Sequence, residues 1–146
     1  MHADLPPTVL ARIEELELAP HPEGGFYRET HRSPRVLPAL PDYPGDRVAC
    51  TSILFLLPTG VVSRWHRVRS EELWLLHEGD PLRLSLRADP DDGATSVLLS
   101  RAAPQAVVPA GMWQQAEVAP GTAGYSLVGC VVAPGFDFED FEMAER

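Results

Sequence analysis

From Val48 to Val132 the chain runs as a succession of short apolar-rich segments, each closed by a turn that carries proline or glycine. The segments fall at 48–57, 63–68, 71–77, 82–87, 96–100, 105–108, 113–118 and 124–132. In one of them Leu82, Leu84 and Leu86 alternate with Arg83, Ser85 and Arg87, the period of a sheet with one buried face. Gly79-Asp80-Pro81, Pro90-Asp91-Asp92-Gly93, Pro109-Ala110-Gly111 and Pro120-Gly121 punctuate them at hairpin-like intervals. This pattern predicts an all-β sandwich or barrel and shows no βαβ alternation. Fifteen prolines and eleven glycines in 146 residues suit such turns better than a helical bundle.

Ahead of the strands, the spacing predicts a single helix at about 6–18. Asp4 or Thr8 can cap it, prolines suit its first turn, and Val9, Ile13 and Leu16 share one face. Phe26 to His31 reads as a strand with Phe26, Arg28 and Thr30 on one side and Tyr27, Glu29 and His31 on the other. Residues 33–46 hold Pro34, Pro38, Pro41 and Pro44 and read as an irregular loop. The tail from Phe136 to Glu142 alternates aromatic and acid, so Phe136, Phe138 and Phe141 are expected to pack on the body. No linker divides the chain, which reads as one domain over 1–146, with its barrel at about 26–135.

Charge narrows the partners. The net charge of −9 repels a phosphate backbone, so nucleic acid is not expected as a partner. The longest apolar run, Ile53 to Leu57, is strand-sized and far short of a membrane span. Residues Met1 to Pro7 lack the basic and apolar regions of a secretory signal, which points to the cytoplasm. Cys50 and Cys130, in apolar segments, fit reduced core thiols.

Chemistry concentrates around His66. His66 and Glu72 share parity, so one bend between them lets imidazole and carboxylate face a common interior. A carboxylate there can orient the imidazole, raise its basicity or join it at a metal. Gly60-x5-His66-x-Val68-x3-Glu72-x6-Gly79 resembles the first motif of the cupin superfamily, with Val68 in place of its second histidine. Pro109-x-Gly111-x2-Gln114 resembles the second motif, with Gln114 in the histidine position, Ala103 for its leading glycine and Val118 for its asparagine. Further blocks are similar to one cupin branch, domain of unknown function 985. They are His21-Pro22-Glu23-Gly24-Gly25-Phe26-Tyr27-Arg28-Glu29-Thr30, Ser63-x-Trp65-His66-Arg67-Val68, Pro109-x-Gly111-x-Trp113-Gln114 and Ala133-Pro134-Gly135-Phe136.

The resemblance implies a double-stranded β-helix, the jelly roll shared with cupin sugar-nucleotide epimerases, enclosing one pocket in a homodimer. It names no reaction, because cupins span oxygenases, isomerases and plain binders. The site residues it implies are His66 and Glu72, as candidate catalytic groups, with Gln114, Ser63, Arg28 and Tyr27 lining the same pocket. Three readings follow. The first is a binder of a polar, anionic small molecule of nucleotide or sugar-nucleotide type, helped by Arg28, Arg64, Arg67 and Arg69. The second is a metal-independent isomerase or epimerase, with His66 as base and Tyr27 or Tyr125 as acid. The third is an oxygenase or hydrolase whose metal sits on His66, Glu72 and Gln114. Valine and an amide are poor replacements for imidazole ligands, so no cofactor is expected beyond a weakly held divalent ion. Trp65, Trp74 and Trp113 read as core, His21 and His31 as structural or exposed, and His77 as pointing outward.

Overall fold

The computed structural model describes residues 4–145. Helix α1 (Pro7–Glu15) is followed by β1 (Ala19–Pro20), β2 (Phe26–Arg32), β3 (Val36–Leu37), β4 (Arg47–Val48), β5 (Thr51–Pro58) and β6 (Ser63–Arg67). Then come β7 (Glu71–Gly79), β8 (Leu82–Arg87), β9 (Thr95–Leu99), β10 (Gln105–Val108), β11 (Trp113–Val118), β12 (Tyr125–Ala133) and β13 (Glu142–Met143). One sheet has the order β1-β2-β5-β12-β7-β10, and a second faces it in the order β13-β6-β11-β8-β9. All their pairings are antiparallel. The result is all-β, as the strand pattern predicts, and the jelly roll that the resemblance implies, with one short helix.

Alternation decides which residues fill the sandwich. Phe55, Leu57, Trp74, Leu82, Leu84 and Val128 form the core between the sheets, all nearly inaccessible. Odd positions of β5 point inward, whereas Leu56 points outward with Phe26 and Leu127 to meet Val9 of the helix. Ile13 and Leu16 pack on the same patch, as their spacing predicts. The helix start differs from expectation. Its N-cap is Pro6, with no side-chain capping bond from Asp4 or Thr8. Pro7 at the first turn presets φ and removes an N–H that would otherwise lack a partner. Residues 33–46 are not wholly irregular, because Val36–Leu37 pairs with Arg47–Val48.

Among the described residues no helix is long and apolar enough to cross a membrane. Both cysteines are free, Cys130 buried and Cys50 partly so. Trp74 and Trp113 are buried as core, while Trp65 is half-buried beneath Arg87, whose guanidinium lies 3.9 Å from the ring centre.

Candidate functional site

A cavity of about 470 Å³ opens at one end of the sandwich. Its floor is the inner face of the first sheet. Register places Arg32, Thr51, Val132 and Glu72 in one row across β2, β5, β12 and β7. Glu29, Ile53, Cys130 and Trp74 form the next. His66 on β6 and the tail residues Phe136, Phe138 and Phe141 close it from the other side. The tail is therefore a strap over the cavity. β13 pairs with β6 beside His66, and the Phe141 ring stacks on the His66 ring at 5.5 Å and 27°. Phe136 and Phe141 are half-buried, but Phe138 is 52% exposed, so only part of the expected packing is against the body.

At the deep end the central group is Glu23, which reasoning from strands and parity missed. It lies in a turn where His21 N–H donates to the Gly25 carbonyl and Gly24 N–H to the His21 carbonyl. Gly24 and Gly25 both adopt positive φ, and a Cβ on Gly25 would meet Phe55 and the Leu56 carbonyl within 2.9 Å. Only glycine fits there without strain. The turn presses Glu23 into the sandwich, where Ser63 Oγ donates to Glu23 Oε2. Glu23 Oε1 lies 3.4 Å from both His21 Nδ1 and His66 Nε2. The one legible signal was the Pro-Glu-Gly-Gly block, and it gave no direction for the side chain.

Hydrogen bonds assign the tautomers. His66 Nδ1 sits 2.7 Å from the Arg64 carbonyl, which can only accept, so Nδ1 carries the proton and Nε2 a lone pair. His21 Nδ1 accepts the Glu23 backbone N–H at 3.1 Å, so it too is bare. Burial favours the neutral forms throughout. It pushes the Glu23 carboxyl up to about 8 and the Glu72 carboxyl up to about 7. It lowers His21 to about 4, with the nearby His66 adding to the effect, and it lowers His66 as well. The Cys130 thiol is raised by the same cause, so it stays protonated.

Several expectations need correction. Glu72 does not hold His66 in its tautomer; the Arg64 carbonyl does, while Glu72 Oε1 accepts from Gln114 Nε2 at 2.9 Å. Gln114 is fully buried behind Glu72, and its oxygen accepts the Trp74 indole N–H at 2.9 Å, so it supports the wall rather than lining the cavity. Ser63 is likewise buried behind Glu23. Tyr27 does line the cavity. Arg28 does not: it shares the outer face with Phe26 and donates to the Leu16 carbonyl at the helix end, 2.8 Å away. Tyr125 is also remote, donating to Glu78 beside the helix. The basic cluster disperses, with Arg67 on Glu142 and Arg69 on Asp140. His21, read as structural or exposed, has a buried side chain facing the cavity. His31 is exposed and His77 points outward, as expected.

Several of the expected metal donors are absent or already engaged. Val68 lines the cavity without a donor atom, the Gln114 oxygen is already occupied, and His21 Nδ1 is taken by a backbone N–H. Among the described residues no three His, Cys, Asp or Glu side chains are placed to hold an ion.

The family profile described as Cupin superfamily (DUF985) matches residues 11–144. The chain belongs to this cupin family. A solved protein from Leishmania major is 39% identical, with a TM-score of 0.81 over 90% of this chain and 84% of that one. One from Shewanella oneidensis is 40% identical, with a TM-score of 0.76 over 92% and 82%. An uncharacterised protein of Saccharomyces cerevisiae is 28% identical over 92% of this chain and 75% of its own length. Oxalate decarboxylase of Bacillus subtilis shares the fold at 14% identity and a TM-score of 0.59, over 85% of this cupin and 29% of that chain. At that distance the likeness carries the fold and no chemistry.

Proposed function

We propose that this cupin binds a small polar molecule in the cavity beneath the strap, with Glu23, His66 and Glu72 meeting its polar end. The observation that carries the reading is the burial of these groups at a cavity wall. Each of the three has a partner, in Ser63, the Arg64 carbonyl or Gln114, and each also lines the cavity, where a ligand can take up its remaining hydrogen-bonding capacity. The nucleotide-type anion loses its support, since Arg28 and its neighbours lie elsewhere. A second reading, a metal-independent isomerase, draws on the bare His66 Nε2 as base and Tyr27 as acid in the same cavity.

A thermal-shift screen of small polar compounds tests the binding reading. A ligand at 100 times its Kd stabilises by about 2.7 kcal/mol, or roughly 5–10 °C for a chain of this size. His66→Ala is expected to abolish the shift and His31→Ala to leave it intact. Equal shifts in both variants would remove the site from this cavity.

We also propose a homodimer. The apolar strands 48–57 and 127–132 lie mostly at the centre of their sheet and need no partner. Exposed Val97, Leu98 and Val107 instead sit on the free edges β9 and β10, and such edges invite pairing. Light scattering should give twice the 16.0 kDa chain mass. A mass of one chain at micromolar concentration would refute the dimer.

A further inference from the structure

We propose, building on the pocket reading above, that the cavity takes a small organic cation: a protonated amine carried on an apolar or aromatic body. The chemistry of the lining points that way. Four carboxyl groups, Glu23, Glu29, Glu72 and Asp137, face the cavity against one guanidinium, Arg32. That guanidinium is already engaged. Its Nη2 and Nε donate to Glu29 at 2.7 and 3.3 Å, and Nη2 also reaches the Phe136 carbonyl at 3.2 Å. The chain contains no lysine, and all twelve of its basic residues are arginines.

Apart from the one proton that the Glu23 carboxyl can hold, the deep end lacks donors in particular. Glu23 Oε1, His21 Nδ1 and His66 Nε2 converge at 3.4 Å, and in the tautomers fixed by their other bonds neither nitrogen carries hydrogen. His66 is 2% exposed, and its bare Nε2 lies 3.4 Å from Glu23 Oε1. An ammonium brings three N–H donors and a charge that favours the ionised forms of Glu23 and Glu72, whose protons burial otherwise retains, whereas a hydroxyl brings one donor and a carboxylate none. An anionic group there would be buried beside carboxyls with no free cation among the described lining residues to pair with. The body of the ligand has a place too. Ile53, Val68 and Val132 are apolar walls, and Phe136 and Phe141 offer aromatic rings, which attract a nearby cation.

Phenethylamine, phenethyl alcohol and phenylacetate keep one body and change only the polar end. Isothermal titration of each into the protein is expected to rank the amine first, tighter than the alcohol by about ten- to a hundredfold, with phenylacetate weakest. Glu23→Gln keeps the shape and the Ser63 partner but cannot ionise, so it should erase the preference for the amine over the alcohol. Phenylacetate or the alcohol binding as tightly as the amine, or no binding by any of the three, would overturn the cation assignment. Val68→Phe fills the cavity from a residue outside the polar cluster. Binding that survives Val68→Phe would overturn the pocket reading itself, a result distinct from a wrong ranking.

Discussion

Asp140→Ala is expected to destabilise the protein by about 3 kcal/mol, although Asp140 lies in a tail outside both hydrophobic clusters. Its side chain is 3% exposed and accepts from Arg47 Nε and Nη2 at 2.8 and 2.9 Å, while the Arg47 side chain is 4% exposed. Arg69 adds a third bond at 3.0 Å. Burial alone would raise the Asp140 carboxyl, but the two guanidiniums outweigh it and hold its pKa low. Removing the carboxylate leaves Arg47 buried with the Asp46 carbonyl at 2.7 Å and more distant carboxylates at Glu139, 3.7 Å, and Asp137, 4.0 Å. An uncompensated buried charge costs far more than a lost surface pair. Glu139→Ala should accordingly stay within about 0.5 kcal/mol, because that side chain is 63% exposed. Urea denaturation of the two variants measures the contrast, and near-equal midpoints would contradict it. Asp140 also anchors the strap, so its loss should weaken ligand binding alongside stability.

Raising the pH from about 7 to about 9 should lower stability by roughly 1–2 kcal/mol, and Glu23→Gln should flatten that fall. Burial raises Glu23 to about 8 and Glu72 to about 7, from 4.5 in both cases. A raised folded-state pKa gives stability that is full below about pH 4.5 and is lost as pH climbs through the folded value. Glu72 has spent its effect by about pH 7, which leaves Glu23 to set the slope above it. His21, lowered to about 4 from 6.5, works in the opposite direction. Its contribution is present above about 6.5 and is lost as pH falls through 4, so stability declines on both flanks. Melting curves across the range test the sign, and a wild-type melting temperature that rises from pH 7 to 9 would contradict it.

Where one rule governed a segment, sequence reasoning found it. β8, β10 and β11 begin and end where alternation and turn residues place them, and the Val9, Ile13, Leu16 face meets the sheet as its spacing predicts. His66 and Glu72 were recoverable from parity, and both line the cavity. The failures share a cause. Strand β2 packs on both sides, so alternation separates Arg28 from Tyr27 without telling which face is inward. Glu23 reaches Ser63 across 40 positions from a turn whose direction depends on two positive-φ glycines, and no periodicity reports that contact. Gln114 was placed near Glu72 correctly, but its role turned on Trp74, which binds its oxygen from behind. Long-range hydrogen bonding, rather than local pattern, divided lining residues from supporting ones.

Crystals soaked with a mixed fragment set test the central claim most directly, because electron density shows where small molecules settle. The account predicts fragments beneath Phe136 and Phe141, with a polar atom within hydrogen-bonding reach of Glu23 Oε1 or His66 Nε2. The rival location is the open groove on the other sheet between Trp65, Arg87 and Trp113, where Arg87 Nε is buried without a hydrogen-bond partner among the described residues. Fragments gathered in that groove, with the cavity under the strap left free of them, would contradict the account.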